Sequence, residues 1–332
     1  MAVIQQTPVG RSDSFHALMD RVSDAAVLDR TVLVVGERGT GKELIASRLH
    51  FLSPRWEQVF VPVNCAAYTD AQLDILLFGE SFNDGRNDVD GQFVRADGGT
   101  LFLNDIDTVS VRLQEKMLQV FEQGVVDPVG NPDTTPVNVR VIAAARGDLR
   151  RAVSENHFAQ DLLDHLTFDV IPLPPLRDRP DDILALADHF GKKMAATLGA
   201  DSFAGFTMDA LGLLARQPWP GNVRGLRSVV ERSVGQAFLS DETLSRPIER
   251  LILDPFEGAA SLGAAPVSSD SPQEDMPIDE TLDFNSRVMT FERGLIDKAM
   301  NAHSHHQGKA ADALGLSYHA FRGLLRKHGL KK

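Results

Sequence analysis

The stretch Thr31–Ser47, TVLVVGERGTGKELIAS, narrows the possible folds more than any other part of this chain. Val32–Val35 is a short apolar run, which predicts a buried strand. A glycine-rich loop follows, and then an amphipathic run that predicts a helix. Gly36, Gly39 and Gly41 permit backbone angles that other residues resist. Backbone N–H groups and the helix N-terminus then face an anion, and Lys42 supplies a point charge. The candidate nucleotide-binding residues are therefore Gly36, Glu37, Arg38, Gly39, Thr40, Gly41, Lys42 and Glu43. The pattern GxxxxGK is met, with Glu43 where Ser or Thr usually stands. The alternative is a chance glycine-rich turn between a strand and a helix.

A strand–loop–helix of this kind needs a parallel sheet around it. Phe60–Asn64, Gly99–Asp105 and Arg140–Ala145 read as further strands, and residues 14–30 and Val111–Glu122 as helices. Strands alternating with helices predict an α/β parallel sheet covered on both faces over residues 1–170. Ligands bind at the carboxyl ends of such strands, where Gly36–Lys42, Asn104, Asp105 and Arg146 all fall. Residues 125–139 read as turns and a hairpin. Residues 171–256 read as an all-helical unit, with helices over 182–198, 209–216 and 222–238. The stretch 257–284 is rich in Ser, Pro, Ala and Gly, holds seven acidic residues and no Lys or Arg, and reads as a flexible linker.

Net charge is −12, but its distribution matters more. Residues 285–332 hold nine Lys/Arg against three Asp/Glu, so a basic tail follows an acidic body. This tail reads as helix, short turn at Gly315, helix. Tyr318, His319, Arg322, Arg326 and Lys327 fall on the polar side of the last helix, and Phe321, Leu324 and Leu325 on the inner side. A helix so built can enter the DNA major groove, with basic groups on phosphates and base edges. A plain helical hairpin is the alternative. His303, His305 and His306 lack metal-ligand spacing. No apolar run approaches the roughly 18 residues that span a membrane. The start has no signal-peptide pattern, and the single Cys65 cannot form an internal disulfide. A cytoplasmic protein with no membrane contact is expected.

Several segments together resemble one family, the AAA+ transcriptional activators of sigma-54 RNA polymerase. They are GERGTGKELIASRLH, NCAA, LLFGE, RADGGTLFLND, LPPLRDR, WPGNVRGLRSVVERSV and ADALGLSYHAFRGLLRKHG. The resemblance implies a P-loop AAA+ domain with a helical lid, ATP and Mg2+ as cofactors, and a ring of subunits with sites between neighbours. It also implies a C-terminal Fis-type helix-turn-helix that binds enhancer DNA. Asn64 matches a residue that holds the catalytic acid in a switched-off pose. Arg224 matches the sensor arginine of the lid, and Arg95 a family arginine.

The departures are as informative. The GAFTGA loop, which contacts sigma-54 in the family, should lie between LLFG and GxF; residues Glu80–Asp90 hold no such motif. The family's Asp-Glu pair is Asn104-Asp105 here. By the resemblance these would be the Mg2+ ligands, with Asp105 the general base. Asn104 is neutral, a weak partner for a hard cation. Asp105 and Asp107 would share a face if the strand continued. The family's Thr-Asn is Ala145-Arg146. The two arginines that reach the neighbouring site are Ala159 and His165, with Arg150 and Arg151 nearby. An arginine finger is worth about 10³–10⁵ in rate.

Three readings stay open. One is a regulator that binds ATP and enhancer DNA, with hydrolysis and sigma-54 coupling impaired, alone or in a ring with an intact relative. Another is a fully active sigma-54 activator. The last is an ATPase unrelated to transcription, whose basic tail docks proteins.

Overall fold

In β1 (Val32–Val35) neighbouring side chains leave by opposite faces, because the side-chain period of a strand is two. Leu33 enters one apolar cluster, and Val32 and Val34 enter another. A strand buried on both faces must have helices on both. The computed structural model describes residues 7–81, 89–130, 134–256, 284–303 and 306–329.

β1 is followed by β2 (Phe60–Asn64), the short pair β3 (Gly79–Glu80) and β4 (Val89–Asp90), and β5 (Thr100–Asn104). A second short pair, β6 (Val125–Val126) and β7 (Thr135–Pro136), precedes β8 (Arg140–Ala145) and β9 (Asp169–Pro172). The central sheet has the order β2-β5-β8-β1-β9, and its pairings are all parallel. β1 therefore has a neighbour on each side, and the loop after it opens near the middle of the sheet. β9 is not foreseen in the sequence, where residues from 171 onward are read as part of the helical unit. At the edge of a sheet Pro172 needs no second partner.

One face of the sheet packs on α1 (Asp13–Val27) and α2 (Lys42–Phe51), through Val22, Ala26, Ile45 and Leu49. The other packs on α3 (Asp70–Phe78), α4 (Gln92–Arg95), α5 (Val111–Gln123), α6 (Leu149–Ser154) and α7 (Gln160–Leu166). Arg140, 3% exposed, donates to the carbonyls of Ala25 and Ala26 and so closes the C-terminus of α1. Cys65 is buried in this core, and burial pushes its thiol up to about 12, which removes it as a nucleophile.

Three helices, α8 (Pro180–Leu198), α9 (Met208–Arg216) and α10 (Asn222–Phe238), form a second core around Leu186, Leu214, Leu226 and Val230. Trp219 is buried there and its Nε1 donates to the Leu214 carbonyl at 2.9 Å. Contacts divide the chain into two units, Met1–Gly258 and Ala259–Lys332. Within the second, α11 (Phe284–Ala302), α12 (Gln307–Ala313) and α13 (Tyr318–Lys327) enclose Ile296, Ala310, Phe321 and Leu325. Gly315, between α12 and α13, has a left-handed φ of 68°. The expected linker lies almost wholly in 257–283, outside the described residues, as do residues 82–88 of the interval that lacks GAFTGA. Among the described residues no helix is long and apolar enough to cross a membrane.

Candidate functional site

Between β1 and α2 the chain reverses over Gly36–Gly41. Gly39 and Gly41 take φ values of 79° and 106°. At Gly39 the demand is double, because a Cβ there would overlap the Gly221 carbonyl of the lid. The N–H groups of the first turn of α2 have no partner within the helix, so they face outward from the loop. Lys42 is 7% exposed and turns back on the loop, donating to the carbonyls of Gly36 at 2.8 Å and Glu37 at 3.1 Å. Burial pushes its pKa below the ordinary lysine value, while Asp105 and Asp107 pull it up.

The loop is fastened to the lid. Arg177 grips Glu37 with both guanidinium nitrogens, at 2.7 and 3.0 Å. The fully buried Asn222 donates to Glu37 Oε2 at 3.1 Å and to the Arg38 carbonyl at 3.0 Å, and accepts from the Leu176 N–H at 2.8 Å. Hydrogen bonds from Arg177 and then Asn222 hold the Glu37 carboxyl at about 2, well below the usual range. A depressed carboxylate stabilises the fold above its unfolded pKa and loses that contribution as pH falls through the folded value. The destabilisation caused by Glu37→Gln is therefore expected to be constant from pH 8 to about 5 and to shrink between about 4.5 and 2. Both partners of the ion pair are nearly half exposed, so the effect stays near about 1 kcal/mol. Urea titrations of parent and variant across that range measure it.

The strand ends differ from the expectation. β5 stops at Asn104, and Asp105 turns into the left-handed region (φ 56°, ψ 45°) to begin a short 3-10 turn over Ile106–Thr108. Asp105 and Asp107 thus do not share the face of a continuing strand. They converge instead on Arg146: its Nε lies 3.3 Å from Asp105 Oδ1 and 3.7 Å from Asp107 Oδ2. The Arg146 backbone N–H also donates to Asp107 Oδ1 at 3.4 Å. The sequence named all three residues but not their meeting; only the parallel pairing of β5 with β8 brings the two strand ends side by side.

A cavity of about 390 Å³ joins these parts. Its lining holds the polar or loop residues Arg38, Gly39, Thr40, Gly41, Lys42, Glu43, Asn64, Asn104, Asp105 and Arg224 and the apolar residues Val9, Phe15, Leu18, Leu173, Leu186 and Phe190. Most of the candidates thus come to one place. Gly36 and Glu37 do not line the cavity; their carbonyls accept from Lys42, and the Glu37 carboxylate faces the lid. Asn64 pairs in register with Asn104, and its Oδ1 accepts from the Ala66 N–H, with no hydrogen bond to Asp105. Sequence reasoning missed Arg227 and His189, which also line the cavity, and the partnership of Arg177 and Asn222 with Glu37. The motifs LPPLRDR and WPGNVRGL were the available signal.

The cavity does not suit a divalent cation. Beside a nucleotide, Mg2+ is held by one or two carboxylates together with phosphate oxygens and water. Asn104 offers a neutral oxygen, and the carboxylates of Asp105 and Asp107 face Arg146. Among the described residues no group of three or more His, Cys, Asp and Glu side chains is placed to hold a metal. The finger segment carries no arginine: Ala159 donates its N–H to Gln114 Oε1, and His165 Nε2 lies 3.5 Å from Glu122. Arg150 and Arg151 are exposed on α6 and paired with Asp148 and Glu155.

In the second unit Tyr318, His319 and Arg326 are exposed on α13, and Arg322 lies over the Tyr318 ring at 5.7 Å. Lys327 is held by Glu292 of α11 at 2.7 Å. Phe321 and Leu325 are buried and Leu324 packs beside them, as the periodicity predicts.

The family profile of the sigma-54 interaction domain matches residues 8–172, and that of the AAA+ ATPase lid domain matches residues 177–246. The Psp operon transcriptional activator of Escherichia coli (strain K12) is 42% identical over 99% of both chains. This chain belongs to the sigma-54 activator family. The Nif-specific regulatory protein of Azotobacter vinelandii is 36% identical over 93% of this chain, but that match spans 56% of the longer relative. Crystal structures of NtrX from Brucella abortus in complex with ADP and with ATP each superpose with a TM-score of 0.70 at 27% identity. They cover 98% and 97% of this chain, and 71% and 70% of NtrX. Membership carries the parallel α/β domain and its AAA+ lid.

Proposed function

We propose that this family member is a cytoplasmic regulator that binds ATP and enhancer DNA, with impaired ATP hydrolysis and impaired coupling to sigma-54 polymerase. The cavity supports the nucleotide: its apolar lining suits a base, and its glycine loop, Lys42 and Arg224 suit phosphates. NtrX, which shares the fold, has been crystallised with ATP and with ADP. The observation that weighs most against a full motor is the capture of Asp105 by Arg146, since a carboxylate facing a guanidinium is poorly placed to polarise water. The absence of GAFTGA from Glu80–Asp90 and of arginine at Ala159 and His165 points the same way.

DNA binding rests on residues 285–332, read as a Fis-type helix-turn-helix with Tyr318, His319, Arg322, Arg326 and Lys327 as its contact set. The basic balance of this segment and the exposed polar side of α13 support it. In a ring, the chain assembles with itself or with an intact family member. Truncation after Glu257 is expected to abolish specific enhancer binding while leaving ATP affinity within a few-fold. Mobility shifts and calorimetry on both forms test this; unchanged DNA affinity in the truncate would remove the assignment. The second reading, a fully active sigma-54-dependent activator, is favoured by the 42% identity to the Psp operon activator. Activated transcription with sigma-54 polymerase would select it.

A further inference from the structure

We infer that Arg146 takes the place of the divalent cation, so that this site binds ATP without Mg2+. The inference rests on the proposal that the cavity binds ATP. A nucleoside triphosphate brings several negative charges to a site that already holds carboxylates, so something must neutralise them. In a magnesium-dependent site the ion bridges phosphate oxygens and protein carboxylates. Here the carboxylates are already neutralised from within. Arg146 holds Asp105 at 3.3 Å and Asp107 at 3.7 Å, and these side chains are only 18% and 22% exposed. Its backbone N–H adds a contact to Asp107. Both sides of the arrangement are built into the fold, since Arg146 follows β8 and Asp105 follows β5, and these strands pair in parallel.

Two consequences follow. Asp105, which lines the cavity, no longer presents a bare negative charge to phosphate. A magnesium ion arriving with ATP would meet the neutral Asn104 and an Asp105 already paired with Arg146, in place of two free carboxylates. Lys42 lies within the field of Asp105, Asp107 and Arg146, so the same set of charges bears on the lysine that meets the phosphates. Glu43, at the start of α2, is the other carboxylate that lines the cavity.

The test is ATP affinity of the full chain by calorimetry, in EDTA and in excess Mg2+. The parent is expected to bind ATP in both, with dissociation constants that agree within about threefold, less than about 0.7 kcal/mol. Arg146→Ala uncovers Asp105 and Asp107; it is expected to weaken binding in EDTA by about tenfold or more and to make binding Mg2+-dependent. Arg146→Lys keeps a cation there and is expected to stay closer to the parent, and thermal melts of each variant confirm folding. A parent that binds ATP with Mg2+ but at least about tenfold more weakly in EDTA overturns this inference and leaves ATP binding standing. So does an Arg146→Ala protein whose folded form binds ATP in EDTA like the parent. A parent that binds ATP in neither condition overturns both readings.

Discussion

The purified chain is expected to turn over ATP at least about 10³-fold more slowly than an intact activator such as the Psp operon relative, while still binding it. Two independent losses set the size. An arginine supplied by a neighbouring subunit is worth about 10³–10⁵ in rate, and the positions that the resemblance assigns to such a pair are Ala159 and His165. Of these, Ala159 has no charge to offer, and His165 lies beside Glu122. Arg150 and Arg151, the nearest alternatives in sequence, are bound to Asp148 and Glu155. The second loss is at Asp105, whose carboxylate is directed at Arg146. Because these losses act at different points, restoring arginine at Ala159 and His165 alone is expected to recover only part of the deficit. Phosphate release at saturating ATP, with the relative assayed in parallel, measures it. A kcat within a few-fold of the relative would show that the site is intact and that the Arg146 pair opens on binding.

Replacing Asp182 by alanine is expected to destabilise the first unit by about 3–5 kcal/mol, a large share of a domain stability of about 5–15 kcal/mol. Asp182 is fully buried at the start of α8. It accepts from the backbone N–H groups of Arg11 at 2.6 Å and Ser12 at 2.8 Å, and from the Ser12 hydroxyl at 3.1 Å. The Arg179 guanidinium, 4% exposed, lies 3.5 Å away and also donates to the Thr40 carbonyl of the phosphate loop. Burial pushes Arg179 below its ordinary pKa and Asp182 opposes that shift, so removing the carboxylate strands a charge. Three amide and hydroxyl donors lose their acceptor at the same time. Asp182→Asn keeps one acceptor oxygen and is expected to lie between parent and alanine. Urea denaturation of the three proteins reads the series, and an alanine variant within about 1 kcal/mol of the parent would exclude the role.

The two expectations show where sequence reasoning stops. The glycine loop, the strands at 60–64 and 140–145 and the helices of the lid were legible because their signals are local. A strand declares itself by alternation and a helix by spacing, within a dozen residues. β9 was lost because prolines mask an edge strand. The clasp on Glu37 comes from Arg177 and Asn222, 140 and 185 residues away, and the partners of Asp182 lie some 170 residues before it. Motifs containing Arg177, Arg179 and Asn222 were visible, but nothing local assigns their partners.

The sequence by itself determined that this chain carries a GxxxxGK loop on a parallel sheet, a helical lid and a basic helical tail, that it holds no GAFTGA motif, and that residues 159 and 165 are Ala and His. These are matters of residue type and short-range spacing. Only the tertiary structure decided what Asp105 faces. That depends on the strand ending at Asn104, on the left-handed turn at Asp105, and on β8 delivering Arg146 beside it. Charges 39 and 41 residues apart meet there because parallel pairing aligns strand ends, and their meeting forms an ion pair beside the phosphate loop.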